Sequence, residues 1–462
     1  MSDPRRRNVL FILTDDQGPW ALGCAGNEEI RTPNLDRLAA DGMRFDRFFC
    51  TSPVCSPARA SILTGRIPSQ HGVHDWIRDP RQPDAPDYLE GQTLLTDVLA
   101  RHGYRCGLSG KWHLGRHRQP RAGFSHWFCL LTGGSRYNDA DMCRGGEVVR
   151  CPGYLTDVIT DDALTFLDAA GDQPFYLSVH YNAPHSPWDG HPPEIVAGYD
   201  DCPFKSCPQE AMHPWANPQL RQHFGNRESL KGYFAAVTAM DRNAGRLVAR
   251  LDERGLRDDT LIVFMSDNGF SCGHHGVWGK GNGTRPLNMY DNSVKVPCIV
   301  SHPPRVPAGR VSGAMLSQYD VLPTLLEYLG LPAVGDDTLP GSSFLPVLTG
   351  QADEARDALV VYDEYGPVRM IRTSEWKYVH RYPAGPHELY DLHADPDERR
   401  NLIDEPVRQP VVVELRRRLA RWFERYVVPS TDGARCPVDG GGQIERIDAD
   451  HVGEETFHGR EF

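Results

Sequence analysis

"NVLFILTDDQG", residues 8–18, decides the fold class: an unbroken apolar, β-branched run stops at two adjacent carboxylates. A strand wetted on one side alternates apolar and polar residues, whereas a continuous run is buried on both faces, as in a parallel sheet. Outward from it, helices and short apolar strands take turns. "TPNLDRLAADG" (32–42) predicts a helix with Thr32 as its cap, Pro33 in the first turn and Gly42 past the end. "QTLLTDVLARHG" (92–103) predicts a helix before the strand "YRCGLSG", and "LTDVITDDALTFLDAA" (155–170) leads into "PFYLSVHY". A long helix over 229–254 precedes the strand "TLIVFMS" (260–266). The expected fold is α/β, a large mixed, mostly parallel sheet sandwiched by helices.

The texture changes beyond residue 350. "VRMIRTSEWKYVHRYP" and "HELYDL" read as short hairpin strands, followed by a helix near 410–427. The expected organisation is a large α/β domain over 1–350, a smaller α+β domain over 351–430, and a C-terminal arm over 431–462.

Bulk properties narrow the function classes. The 462 residues are 40% hydrophobic and 24% charged, ordinary for a globular protein. A net charge of −12 argues against a general nucleic-acid binder, which needs a broad basic face. No window is apolar enough for a membrane span. After "MSDPRRR" the apolar run is too short for a secretion signal, and Asp15 and Asp16 stand where a cleavage site belongs, so cytoplasmic residence is the expectation. The twelve cysteines are scattered, as buried free thiols are.

Ligands collect beyond the carboxyl ends of strands in such sheets. Those ends read "TDDQ", "GKWHLG", "HYNAPHSP" and "SDNG". Asp15 and Asp16 alone would be a cap or a solvated turn. Asp267 and Asn268 mirror them at the end of another apolar strand. Three carboxylates and one amide carbonyl form an all-oxygen set suited to Ca²⁺ or Mg²⁺, and the neutral Asn favours calcium. "TSPVCSPARASILTGR" (51–66) sets Cys55 between two prolines at the start of a helix. On the residues alone, Cys55 is open to four readings: core packing, a nucleophile, a metal ligand, or a precursor of another group.

"CSPARASILTGR" matches the signature C-x-P-x-R-x-x-x-L-T-G-R residue by residue, and the chain is thereby similar to the type I sulfatases of the alkaline-phosphatase-like superfamily. "TPNLDRLAADGMRF", "GKWHLG", "APHSP", "SDNG" and "ELYDLHADPDERRNL" extend the resemblance over nearly the whole chain. Ala58, where serine is common, departs from the pattern outside its core. The resemblance implies that a maturation enzyme oxidises Cys55 to formylglycine. One hydroxyl of the aldehyde hydrate would attack sulfur and the other would release its proton, so that the sulfated intermediate collapses. It further implies a cation bound by Asp15, Asp16, Asp267, Asn268 and residue 55. Lys111 would contact the sulfate, His113 would take the hydroxyl proton, and Arg59 would hold the diol. His185 and Lys280 would serve the leaving oxygen. His180 reads as a core residue and His275 as loop support. His74, Trp76 and Arg116 are further candidates for substrate contact, Trp76 by stacking on a sugar and "RHRQPR" (116–121) by gripping an anionic glycan.

The implied activity is hydrolysis of a sulfate monoester, on a sulfated carbohydrate or other small molecule. The alternatives are a phosphonate or phosphate ester hydrolase with the same nucleophile, which Asn268 weighs against, and a non-catalytic glycan-binding relative.

Overall fold

The run at 8–14 forms β1 (Asn8–Thr14), all of it buried. Its alternate side chains reach two separate cores: Leu10 and Ile12 face one, Val9, Phe11 and Leu13 the other. Polar alternation is missing because both faces of the sheet are covered. A computed structural model describes residues 7–78, 86–334, 337–447, 453, 456 and 457 of the chain. The start of the sequence at 1–6, and 448–452, 454–455 and 458–462 of the expected arm, lie outside the described residues.

In chain order, the elements that frame the molecule begin with β1, α1 (Pro33–Ala40), β2 (Met43–Phe45), α2 (Cys55–Thr64), α3 (Leu95–Arg101) and β3 (Arg105–Gly110). Then come β4 (Phe124–Leu130), β5 (Asn138–Arg144), β6 (Glu147–Tyr154), α4 (Leu155–Asp168), β7 (Phe175–His180) and α5 (Arg227–Glu253). β8 (Thr260–Ser266), β9 (Cys298–Ser301), β10 (Arg310–Ser312) and α6 (Val321–Tyr328) complete the larger part. These strands make one ten-stranded sheet in the order β10-β2-β9-β8-β1-β7-β3-β4-β5-β6. Its centre is parallel, with β8, β7 and β3 in register beside β1 or each other, while β9 and the β5–β6 hairpin run antiparallel. Helices α1, α4 and α5 cover one face, and α3 and α6 contribute to the other. The mixed, mostly parallel sheet is as expected.

The C-terminal sheet holds β11 (Ala358–Asp363), β12 (Val368–Thr373), β13 (Trp376–Arg381) and β14 (Glu388–Asp391), all antiparallel. Val360, Tyr362, Ile371 and Leu389 pack under α7 (Gln409–Tyr426), while Leu359, Val361, Met370 and Val379 join the core of the large sheet. β11 is absent from the sequence reading, as are β2, β4–β6, β9 and β10. The β5–β6 hairpin lies at a sheet edge with many exposed positions, so its pattern is diluted.

One expectation is corrected. The Thr32 side chain does not cap α1; its hydroxyl donates to Asp36 and accepts from the Gly23 N–H. The cap comes from α5, where the buried Asp241 carboxylate accepts from the N–H groups of Asn34 and Leu35. A full carboxylate from a packed helix satisfies two free N–H groups that one hydroxyl cannot. No described helix is long and apolar enough to cross a membrane.

The ladder continues past the strand ends and aligns the first residues beyond them. The Asp15 N–H donates to the Ala183 carbonyl, Lys111 N–H to His180, and Asp267 N–H to Thr14. Gly110 makes the β3 exit possible: its φ is +113°, and a Cβ there would run into the His180 carbonyl. Gly110→Ala should cost about 1–3 kcal/mol through backbone strain, read as a lower urea midpoint, with Lys111 displaced.

Candidate active site

Strand ends and the start of one helix supply the site. After β1, Asp16 takes a left-handed backbone (φ 62°) that turns the chain away from the sheet edge. His113, just past β3, is also left-handed (φ 56°). Non-glycine residues held in this region store strain, and such strain clusters at functional sites. β8 ends directly before Asp267 and Asn268. Cys55 is the first residue of α2, whose N-terminal N–H groups favour an anion.

These elements converge. Ligand atoms of Asp15, Asp16, Cys55 and Asp267 all lie within 4.8 Å of one another, and all four residues are buried. Asn268 Nδ2 donates to Asp16 Oδ1 (2.7 Å) and the Gly269 carbonyl (2.9 Å), and its Oδ1 accepts from Lys280. Three carboxylates packed this closely repel one another unless cations separate them. Lys280 Nζ donates to Asp16 Oδ1 (2.6 Å), Cys55 Sγ (2.9 Å) and Asn268 Oδ1 (3.2 Å). Lys111 Nζ bonds Asp15 Oδ2, and Arg59 Nε bonds Asp267 Oδ2 at 2.9 Å.

Titration is set by that arrangement. Burial raises the Asp15 carboxyl, but Lys111, His185, Arg59 and Lys280 outweigh it and hold it well below the usual range. Asp267 is pushed up to about 6, by burial and then by Asp15, against the pull of Arg59. Burial lowers Lys280, yet the carboxylates of Asp16 and Asp15 more than reverse it, so the ammonium persists. Cys55 is pushed up to about 12 by burial and then Asp15. An unmodified Cys55 is therefore a thiol, and its Sγ donates to Asp15 Oδ1 at 3.2 Å.

The histidines divide by their partners. His113 Nε2 faces the Ile77 carbonyl at 2.9 Å; a carbonyl only accepts, so this nitrogen carries the hydrogen. Its buried Nδ1, with no hydrogen-bond partner, is then a free base. Burial, then Lys111 and Arg59, holds His113 well below the usual imidazole range, so it is neutral. His185 Nδ1 donates to the Ser186 carbonyl (2.8 Å), and its Nε2 lies 3.9 Å from Asp16. His180 is buried and donates to the Lys111 carbonyl (3.1 Å), and His275 stacks on Tyr290. Arg59 Nε holds Asp267 and Nη1 the Lys111 carbonyl at 3.1 Å, while Nη2, 3.9 Å from Asp15 Oδ2, has no hydrogen bond.

A cavity of about 520 Å³ opens over this centre, and Cys55, Trp76, His113, His185 and Lys280 line it. Cys55 and Lys280 on its wall join the cavity to the buried carboxylates beneath, an arrangement suited to an anionic substrate.

The sulfatase family model matches residues 7–331, and the model for the C-terminal part of N-sulphoglucosamine sulphohydrolase matches 273–425. The chain belongs to the sulfatase family. As such it is a sulfuric ester hydrolase. It is 30% identical to an N-acetylglucosamine-6-O-sulfatase of Bacteroides thetaiotaomicron, over 87% of this chain and 83% of that one. It is 31% identical to an ulvan-active sulfatase of Formosa agariphila, over 89% and 80%. A solved structure in complex with its substrate D-glucosamine-2-N,6-O-disulfate superposes with TM-score 0.79 at 26% identity, covering 91% of this chain and 98% of that one. The phosphonate monoester hydrolase of Agrobacterium radiobacter shares the fold, with TM-score 0.70 at 24% identity, over 91% of this chain and 96% of that one.

In this sulfatase two sequence candidates fall elsewhere. His74 is buried, with Nε2 against the Thr431 carbonyl (2.8 Å) and Gly433 packed on its ring. It anchors the C-terminal arm and does not line the cavity. Arg116 is exposed and also absent from the cavity wall. Trp76 does stand on the wall, 36% exposed, its indole N–H donating to the Gly440 carbonyl. The wall also includes Arg78, Gly133 and Tyr365, which the sequence reading does not name. Gly133 packs flat on the His113 ring, where a Cβ would clash. Tyr365 lies just after β11 in the C-terminal sheet, and no local pattern marks it.

Millimolar Ca²⁺ should raise the melting temperature by several degrees, because a ligand bound only by the folded state stabilises it. A chelator should reverse the shift, and Asp15→Asn should abolish it.

Proposed function

We propose that this sulfatase hydrolyses a sulfate monoester on a sugar, through a formylglycine that a maturation enzyme makes from Cys55. The observation that carries the reading is the placement of Cys55 among three buried carboxylates with the Lys280 ammonium 2.9 Å from its sulfur. Asp15, Asp16, Asp267, Asn268 and residue 55 would hold a divalent cation, calcium from the oxygen-rich donor set, with magnesium as the other hard ion. Bound there, the ion supplies Lewis acidity toward the sulfate and the nucleophilic hydroxyl.

The chain's own residues do the rest. Lys111 and Lys280, with the N-terminus of α2, place positive charge where the sulfuryl group gathers negative charge, and such preorganised charge is the largest usual term in catalysis. His113 is neutral with Nδ1 free, the state a general base requires. His185, oriented by its Ser186 bond, lines the cavity where the departing oxygen would lie. Arg59 keeps Asp267 and the Lys111 backbone in place beneath them.

A carbohydrate substrate is supported by the relatives, which are named for N-acetylglucosamine 6-O-sulfate and ulvan, and by the solved complex with a sulfated glucosamine. The half-exposed Trp76 ring offers an apolar face for a pyranose. Phosphonate hydrolysis is the second reading, raised by the shared fold and opposed by the neutral Asn268.

Sulfate release from N-acetylglucosamine 6-sulfate, assayed beside a phenyl phosphonate monoester, tests the proposal. The sugar sulfate should turn over faster, and the Cys55 peptide should carry the mass of formylglycine. Faster phosphonate turnover, or unmodified cysteine in fully active enzyme, would overturn it. Lys280→Gln should lower kcat about 10²-fold with the far-ultraviolet circular dichroism unchanged.

A further inference from the structure

A second cavity, of about 640 Å³, lies beside the catalytic one and shares Thr132 and Gly134 with its wall. Arg118 and Arg136 line it, and the chemistry above uses neither. Among the described residues neither guanidinium meets a carboxylate. Arg136 donates through Nε and Nη2 to the Asp139 carbonyl at 3.2 and 3.0 Å. Arg118 is half-buried, and its Nε is closed off from water with no hydrogen-bond partner. His117 on the same wall is 3% exposed, and its buried Nδ1 is also without a hydrogen-bond partner. Asp141, the acid on this wall, is engaged by Arg150 at 3.6 Å.

Arg118 Nε, closed off from water, recovers that loss beside an anion; Arg136 is exposed, and the planar fork of either guanidinium suits a carboxylate or a sulfate. On a chain of net charge −12, two arginines without a counterion at the edge of the active site form a local positive field. Each cavity falls within the range of about 300–1,000 Å³ that holds a small ligand, so the pair accommodates two linked sugar units.

We propose that this second cavity is a subsite for the sugar next to the one bearing the scissile sulfate, and that Arg118 and Arg136 select a neighbour carrying its own carboxylate or sulfate. The proposal rests on the reading of the protein as a carbohydrate sulfatase. Within "RHRQPR" it moves the anion contact from Arg116, which lines neither cavity, to Arg118.

Four probes test it on the matured enzyme: N-acetylglucosamine 6-sulfate, and three disaccharides with that unit at one end and a neutral, uronate or sulfated neighbour. The wild type should prefer the anionic neighbours, and the uronate and sulfated arms identify which anion is read. Arg118→Gln and Arg136→Gln should each raise KM for those two about tenfold, the worth of a charged hydrogen bond. Turnover of the monosaccharide and the neutral disaccharide should not change. Added salt should erode the preference. Equal discrimination by wild type and both variants would overturn the subsite. Calorimetric titration of the disaccharides into Cys55→Ala protein reads the subsite without turnover: tighter binding of an anionic neighbour, lost in the arginine variants, supports it, and equal binding refutes it. Inactivity of formylglycine-bearing enzyme on all four sugars would refute the carbohydrate reading instead.

Discussion

The structure depends on charge compensation at the carboxyl edge of a parallel sheet. Asp15, Asp16 and Asp267 are buried within ion-binding distance of one another, and Lys111, Lys280 and Arg59 are what make that tolerable. A buried carboxylate without a partner would protonate or force the site open. The cations cannot simply be strong binders, however. Lys280 also reaches the Cys55 sulfur, and the Lys111 backbone is gripped by Arg59 and His180. The same charges that hold the carboxylates together therefore stand ready around the position where sulfate must sit.

The hydrogen-bond ladder is the mechanical half of that arrangement. Parallel strands in register end at the same level, so Asp15, Lys111 and Asp267 emerge side by side, each tied to its neighbour's carbonyl. Left-handed turns at Asp16 and His113 then redirect the chain without extra residues. The pocket walls are assembled differently. Tyr365 arrives from the C-terminal sheet, and the segment after α7 folds back, Gln443 bonding the backbone on both sides of Trp76 and Ile77. Catalytic floor and substrate wall thus have separate structural origins.

That division governs what could be read from the sequence. β1, α4, β7, α5 and β8 are long, buried and strongly patterned, and their limits match the reading to within a few residues. The edge hairpin β5–β6 and the three-residue strands β2 and β10 carry too little pattern to be seen. At the site, Asp15, Asp16, Asp267, Asn268, Cys55, Lys111, His113, His185 and Lys280 all sit at strand ends or in short motifs, where sequence position implies spatial position. His74 shares the nucleophile's neighbourhood in sequence yet points into the arm, because Thr431 and Gly433 enclose it.

By itself the sequence determined the buried parallel centre of the sheet, its covered faces and the polar groups at its edge, since hydrophobic period and strand ends are local properties. Tertiary structure alone decided which nitrogen of His113 is free, that Arg59 is tied to Asp267, and which aromatic and cationic side chains wall the cavities. Those outcomes depend on partners distant in sequence, Ile77 for His113 and residue 267 for Arg59, and no short-range pattern encodes a hydrogen bond formed across the fold.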